Sequence, residues 1–153
     1  MKAMSVQKPK PSIPGPLLKP KLDTKFHIDY EWWDTNSDIE LRSYLLSHLP
    51  QEERENLEEM PEDRQIDYVD PETGEVFRLD ALGLALQEAA KDEDFINAQI
   101  SLVDSVFRVF LKNGNKPLSP QELEPLTERP ASTILKTLGG IKVYRGIRPI
   151  DLG

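Results

Sequence analysis

The chain has 153 residues, 38% hydrophobic and 30% charged, with no cysteine and a formal net charge of -8. That length suits one ordinary domain or two small units, and the missing thiols exclude disulfides, zinc-thiolate sites and thiol catalysis. No window approaches the ~18 to 20 apolar residues of a membrane span and the basic N-terminus lacks the apolar core of a secretory signal, so the expectation is a cytoplasmic protein without a membrane partner.

Residues 1–22 carry five Lys and no acid, a local charge of +5, with Pro9, Pro11, Pro14, Pro16 and Pro20 among them. Such a segment buries too little surface to offset its ordering entropy, so it reads as a disordered or extended arm. It is either a basic tether for an anionic partner or a solubilising tail. Residues 23–104 reverse the charge, with 23 Asp or Glu against six Lys or Arg, or -17. Residues 105–150 return to +5, with eight Lys or Arg against three Glu. An acidic body thus carries two basic ends, an asymmetry that says more about partners than the total charge does.

Residues 26–32, Phe-His-Ile-Asp-Tyr-Glu-Trp, alternate apolar and polar side chains as a half-buried strand does. In a strand the adjacent Trp32 and Trp33 would face opposite ways, one into the core and one toward a contact surface. Residues 38–49 follow as an amphipathic helix built on Ile39, Leu41, Leu45, Leu46 and Leu49, with Ser37 and Glu40 as a capping box and Pro50 as its end. The acidic residues 51–64 suit a short helix or a solvated loop. Residues 65–80 read as a β-hairpin, in which Ile66, Tyr68 and Val69 lead through Asp70-Pro71-Glu72-Thr73-Gly74-Glu75 into Val76, Phe77 and Leu79, and Gly74 supplies a positive φ. Joined to the strand at Phe26, the hairpin would complete a three-stranded antiparallel sheet.

Residues 81–91 and 93–112 read as helices, the second with a stripe of Ile96, Ile100, Val103, Phe107 and Phe110 that Asn113-Gly114-Asn115 stops. Ser119, Pro120 and Glu122 then make a capping box with a favourable proline. This helix ends near Thr127, and another, residues 130–138, ends at Gly139-Gly140. The expected core is Leu118, Leu123, Leu126, Ile134, Leu135 and Leu138 with Phe107 and Phe110. The fold class that follows is α+β, a small antiparallel sheet with a hairpin plus helices, continuous with a C-terminal helix-turn-helix. The expected organisation is an arm at 1–22, an acidic unit at 23–92 and the helix-turn-helix unit at 93–153.

Little in the chain points to chemistry. His27 and His48 lie 21 residues apart without a metal-ligand spacing, and no phosphate-binding glycine loop, nucleophile elbow or metalloprotease motif is present. Asp67, Asp70 and Glu75 could gather around a cation, although Asp70 is better explained by the turn itself. The expectation is a non-enzymatic protein with no metal and no cofactor.

The C-terminal third resembles the winged-helix family, in which a short strand, helix, turn, recognition helix and β-wing follow one another. Leu118 falls at the first strand, residues 131–137 (Ala-Ser-Thr-Ile-Leu-Lys-Thr) at the recognition helix, and residues 141–148 at the wing. The resemblance implies that Ser132, Thr133, Lys136 and Thr137 face the major groove and that Lys142, Arg145 and Arg148 contact the DNA backbone. Only about ten residues up to Ile150 follow Gly140, short of a two-stranded wing. The recognition helix carries a single Lys and no Arg, Asn or Gln, the usual readers of base edges. The functional expectation is therefore a DNA-binding or transcription-related adaptor whose acidic body binds a protein. The alternative is an interaction or structural subunit whose helix-turn-helix never meets nucleic acid.

Overall fold

The alternation at Phe26-His27-Ile28 does form a strand, β1 (Phe26–Ile28), with Phe26 and Ile28 fully buried and His27 half-buried. This is seen in a computed structural model that describes residues 19–36, 40–59, 65–69, 73–74 and 76–150. The class is α+β. Four helices follow in the acidic region: α1 (Trp32–Asn36), α2 (Leu41–Leu46), α3 (Gln51–Glu58) and, beyond the hairpin β2 (Gln65–Val69) and β3 (Val76–Asp80), α4 (Ala81–Ala89). The C-terminal region holds α5 (Leu102–Lys112), α6 (Pro120–Thr127), α7 (Ala131–Leu138) and β4 (Ile147–Pro149).

The three-stranded sheet expected from the hairpin does not form. Among the described residues β2 and β3 pair only with each other, Gln65 opposite Asp80 and Val69 opposite Val76. β1 instead pairs antiparallel with β4, Phe26 opposite Pro149 and Ile28 opposite Ile147. On its other edge Phe26 exchanges both backbone bonds with Leu118, at 2.8 and 3.0 Å. Asn115 extends that edge with its side chain, accepting from the Ile28 amide at 2.8 Å and donating to the Ile28 carbonyl at 2.9 Å. A strand of three residues thereby has partners on both edges.

Three further boundaries differ from the sequence reading, each for a local reason. The strand stops at Ile28 because Asp29 accepts a bond from the Glu31 amide and turns the chain, so Trp32 and Trp33 stand on a helix. Trp33 is buried and Trp32 half-buried against its edge. α2 begins at Leu41 with Glu40 at its N-cap and no side-chain cap bond, while Ser37 lies outside the described residues. α5 begins at Leu102, where Ser101 accepts from the Asp104 amide. The stretch before it is held in turns by Asp92 and Asn97, whose side chains accept from the amides of Asp94 and Gln99. Such bonds offer the backbone an alternative to the helix.

Among the described residues two clusters of buried side chains form the core. The larger joins Phe26, Ile28, Trp33 and Tyr44 to Phe107, Phe110, Leu123, Ile134, Leu138 and Ile147. The smaller unites Leu46, Leu49, Leu57, Leu82 and Leu86 from α2, α3 and α4. Residues on both sides of position 92 therefore share one core. Leu126, expected inside, is half exposed on α6. Where the hairpin is described, Gly74 has φ +75° as its turn chemistry requires, and Asp70 and Glu75 lie outside the described residues.

Two substitutions test this arrangement by urea unfolding. Gly74→Ala meets open space but places a side chain at positive φ, costing on the order of 1 kcal/mol. Asn115→Gly tolerates the native φ of 62° yet strips Ile28 of two backbone partners, costing on the order of 2 kcal/mol. Asn115→Ala should cost about 1 kcal/mol more, because it adds backbone strain. A neutral Asn115→Gly would mean that water replaces the amide without loss.

Candidate nucleic-acid interface

Helices α5, α6 and α7 owe their mutual placement to short-range polar contacts around an apolar centre. Ser119 and Glu122 form the expected capping box, the Ser119 hydroxyl accepting from the Glu122 amide at 3.2 Å and the Glu122 carboxylate from the Ser119 amide at 2.9 Å. α6 ends on Glu128 at φ 57°, and the Thr127 hydroxyl donates back to the Leu123 carbonyl. Arg129 then reaches from the turn to α5, donating to the Ser105 hydroxyl and the Ile100 carbonyl, both at 2.6 Å. Glu124 accepts from the Ala131 amide at 2.7 Å and so caps α7, a job Pro130 cannot do.

The sequence of α7 divides cleanly by helical period. Ala131, Ile134 and Leu138 are buried, whereas Ser132, Thr133 and Lys136 are exposed and Thr137 is half-buried. Lys136 forms no hydrogen bond or ion pair among the described residues, so its charge is free to meet a ligand.

The remaining expected contact residues lie beyond α7 and differ in freedom. Lys142 is exposed, with its ammonium 4.9 Å from the Tyr144 ring centre. Tyr144 and Ile147 close a tight turn through a 2.9 Å backbone bond. Its middle residues, Arg145 and Gly146, have φ 54° and 78°, the φ signature of a type I′ hairpin turn. Arg145 tolerates that backbone because Trp33 donates its indole N–H to the Arg145 carbonyl at 3.1 Å. Its guanidinium also lies 4.8 Å from the Tyr44 ring centre. At Gly146 a Cβ would meet the Asp29 carbonyl at 2.8 Å, so only glycine fits. Arg148 stands exposed on β4, opposite His27, and pairs with Asp29 at 3.4 Å. The structure thus leaves Ser132, Thr133 and Lys136 open, sets the exposed Lys142 against the Tyr144 ring, and draws Arg145 and Arg148 toward the body.

Residues 19–25 bring the other basic end to the same region. The Leu22 carbonyl accepts from the Gln121 amide in the first turn of α6. A Cβ on Gly139, just past α7, would come within 3.6 Å of Pro20. Lys19 and Lys21 are exposed. Lys25 pairs with Glu122, and this ammonium, with the Ser119 amide, holds the Glu122 carboxyl below the usual carboxylate range.

A second polar cluster ties α2 to α5. His48 is buried, stacked on Phe107, and its Nδ1 accepts from the Arg108 guanidinium at 2.9 Å. Tyr44 donates its hydroxyl to Asp104, and burial followed by that carboxylate raises its pKa far above the ordinary phenol. Burial first, and the Arg108 charge second, push the His48 pKa down to about 4. An open cleft of about 440 Å³ beside it is lined by His48, Arg108, Glu53, Glu88, Asp92 and Asp94. Ser47, the hydroxyl next to this histidine, donates to the Tyr44 carbonyl instead. Among the described residues no group of three or more His, Asp or Glu could hold a metal ion, and no helix is long and apolar enough to cross a membrane.

No family model, curated protein or solved structure matches this chain. Sequence reasoning missed the residues that position the region, namely Asn115, Arg129, Trp33 and Gly146. Asn115 and Gly146 carried a signal, since Asn and Gly favour left-handed backbone. Arg129 and Trp33 act over separations of 24 and 112 residues, which no local pattern reveals.

The His48 environment predicts how stability varies with pH. The folded pKa lies below the ordinary value of 6.5, so the unfolded chain binds the proton first as pH falls. The stability this neutral imidazole contributes is fully present above pH ~6.5 and is lost progressively as pH falls to about 4, on the order of 3 kcal/mol in all. Urea midpoints measured from pH 7.5 to 4 should show this decline, and His48→Gln should flatten it. A His48 ring that titrates by NMR near 6.5 in the folded protein would contradict it.

Proposed function

We propose that this chain is a non-enzymatic, DNA-binding accessory protein whose helices α5, α6 and α7 act as a helix-turn-helix of the winged-helix kind. The observation that carries this reading is the meeting of the two basic ends at the α6–α7 pair, beside an α7 face that offers Ser132, Thr133 and Lys136 to solvent. Small hydroxyl side chains and one lysine suit a helix that enters a groove and is held mainly by phosphate contacts.

The shortness of the chain after Gly140 also finds an account. In this reading Leu118 is the first strand of the unit and β4 another, while β1, from the N-terminal side, occupies the place of the missing strand between them. The turn at Arg145 and Gly146 is all that remains of the wing. Binding falls chiefly to Lys136 and Lys142, with the acidic α3 and the exposed acids of 88–94 turned to a protein partner.

A second reading, a protein-interaction subunit, is favoured by three specific contacts. Glu124 caps the very end of α7 that would approach phosphate, and Arg145 and Arg148 are engaged within the fold. Ile141, fully exposed just past α7, offers an apolar anchor instead.

Duplex binding by the whole chain, followed by anisotropy across a salt series, separates the two. Each phosphate contact contributes about -0.9 to the log-log slope. Lys136→Gln and Lys142→Gln should each reduce the slope by about one unit, alike for every duplex sequence. Arg145→Gln should instead lower stability, since its packing on Tyr44 is lost. The whole chain is the right object, because residues 93–153 alone lack β1. No duplex binding at low salt ends the DNA reading and leaves the same α7 face as the first protein-contact surface to alter.

A further inference from the structure

The stop signal at the end of α5 carries a chemistry of its own. Asn113 is the C-cap and half-buried, Gly114 follows exposed at φ 74°, and the Asn115 amide closes the turn on the Phe110 carbonyl at 2.8 Å. Among the described residues, neither the Asn113 main-chain carbonyl nor the Gly114 N–H has a hydrogen-bond partner. A Cβ on Gly114 would meet nothing within 4 Å, so that side of the turn is open. The Asn113 carboxamide, in contrast, is held. Its oxygen accepts from the Lys116 amide and its nitrogen donates to the Lys116 carbonyl, both at 3.1 Å.

From this geometry we propose that Asn113 is a site of spontaneous deamidation, attacked by the Gly114 nitrogen, and that the product loosens the hold of Asn115 on β1. The inference is independent of the DNA reading. At ψ 10° the Gly114 nitrogen stands off the carboxamide carbon, so ring closure needs a rotation of the peptide between the two residues. No hydrogen bond ties that peptide, and glycine accepts the φ values through which it turns. The bond from the Lys116 amide supports the negative charge that builds on the carboxamide oxygen as the nitrogen adds. In the step, a solvent base takes the Gly114 amide proton, the nitrogen bonds to Asn113 Cγ, and the Cγ–Nδ2 bond breaks to release ammonia. Water then opens the cyclic imide at one of its two C–N bonds. The product is aspartate or, with the main chain running through Cγ, isoaspartate. One amide and one water become a carboxylate and ammonium, with no redox change.

Asn115 is spared by the bonds around it. The nitrogen that would attack it belongs to Lys116 and already donates to Asn113 Oδ1, and its carboxamide is engaged at both ends by Ile28. Reaction at Asn113 reaches that pairing from behind. Either product removes the N–H donor to the Lys116 carbonyl and sets a carboxylate beside it. The isoaspartyl product also lengthens the backbone just ahead of Asn115, whose side chain meets Ile28 at 2.8 and 2.9 Å.

The test ages the native full-length chain at 37 °C and pH 8.5, beside samples at pH 5 and in urea. Peptide mapping, with fragmentation that separates aspartate from isoaspartate, reads each asparagine. The expected result is conversion at Asn113 ahead of Asn56, Asn97 and Asn115 in the native chain, faster at pH 8.5 than at pH 5. Asn115 should become reactive only in urea. No conversion at Asn113 in the native chain, whatever the urea sample does, overturns the site, and so does earlier reaction at Asn115. The isoaspartyl form, separated by ion exchange, should then show a lower urea midpoint and faster hydrogen exchange at the Ile28 amide than unaged protein. Asn113→Asp should shift both in the same direction by less, because it loses the donor without lengthening the chain. Unchanged Ile28 exchange in the isoaspartyl form overturns the link to β1.

Discussion

Phe26, His27 and Ile28 occupy the middle of a sheet whose other members lie some 90 to 120 positions away. Their backbone meets Leu118 and the Asn115 amide on one edge and Ile147–Pro149 on the other, and their two apolar side chains sit in the centre of the larger core. Buried backbone groups must be paired, so withdrawing β1 would orphan the partners on both sides together. The placement of α6 follows from the same strand. Leu118 is bonded to Phe26, Ser119 caps the helix one residue later, and Gln121 bonds to Leu22. The path of the N-terminal segment and the position of the α6–α7 pair are thus one constraint.

The Tyr44 cluster extends the constraint into the acidic region. Trp33 stacks on Tyr44, which also meets Phe107 and His48 edge-on. Arg145 covers the same ring from the C-terminal turn. Each polar group there is answered by another: Tyr44 by Asp104, His48 by Arg108, and Arg108 by the Phe95 carbonyl. Low dielectric strengthens such bonds but makes an unmatched charge expensive. Neutral histidine is the form that fits beside Arg108, and its protonation would place two cations at hydrogen-bond distance. Only the His48 Nε2 lacks a partner in this cluster, and it sits against aromatic rings.

What the sequence revealed depended on how far each cause acts along the chain. The Ser119 box, the Gly74 turn, the ends of α6 and α7 and the buried period of α7 are set within a few residues, and all were legible. The partner of β1 was not, because strand pairing over such separations leaves no periodic trace, and the nearer hairpin looked the better match. Residues 93–101 misled for a different reason. Ile96 and Ile100 hold helical spacing, yet Asp92 and Asn97 bond their neighbours' amides and keep the backbone in turns. At the candidate interface the exposed residues of α7 were legible from its period. The engagement of Arg145 by Tyr44 and of Arg148 by Asp29 was not, since cationic side chains look alike in sequence whether free or held.

The charge map acquires meaning only once the topology is fixed. On a linear chain the +5, -17 and +5 segments would make a weakly coherent polyampholyte. Folding sends residues 19–22 across the end of α7 to the first turn of α6, and it pairs Lys25 with Glu122 so that one acid of α6 is already neutralised there. Repulsion between the acidic body and a polyanion is screened over about 8 to 10 Å at physiological salt. Local positive charge therefore outweighs the total of -8 wherever the acids stand farther off than that. In the DNA-binding reading proposed above, that local charge is what would meet the polyanion, and the attraction would weaken steeply with salt. The same separation leaves the carboxylates of α3, from Glu52 to Glu58, exposed. In the reading proposed above, these carboxylates are the surface that would meet a basic protein partner.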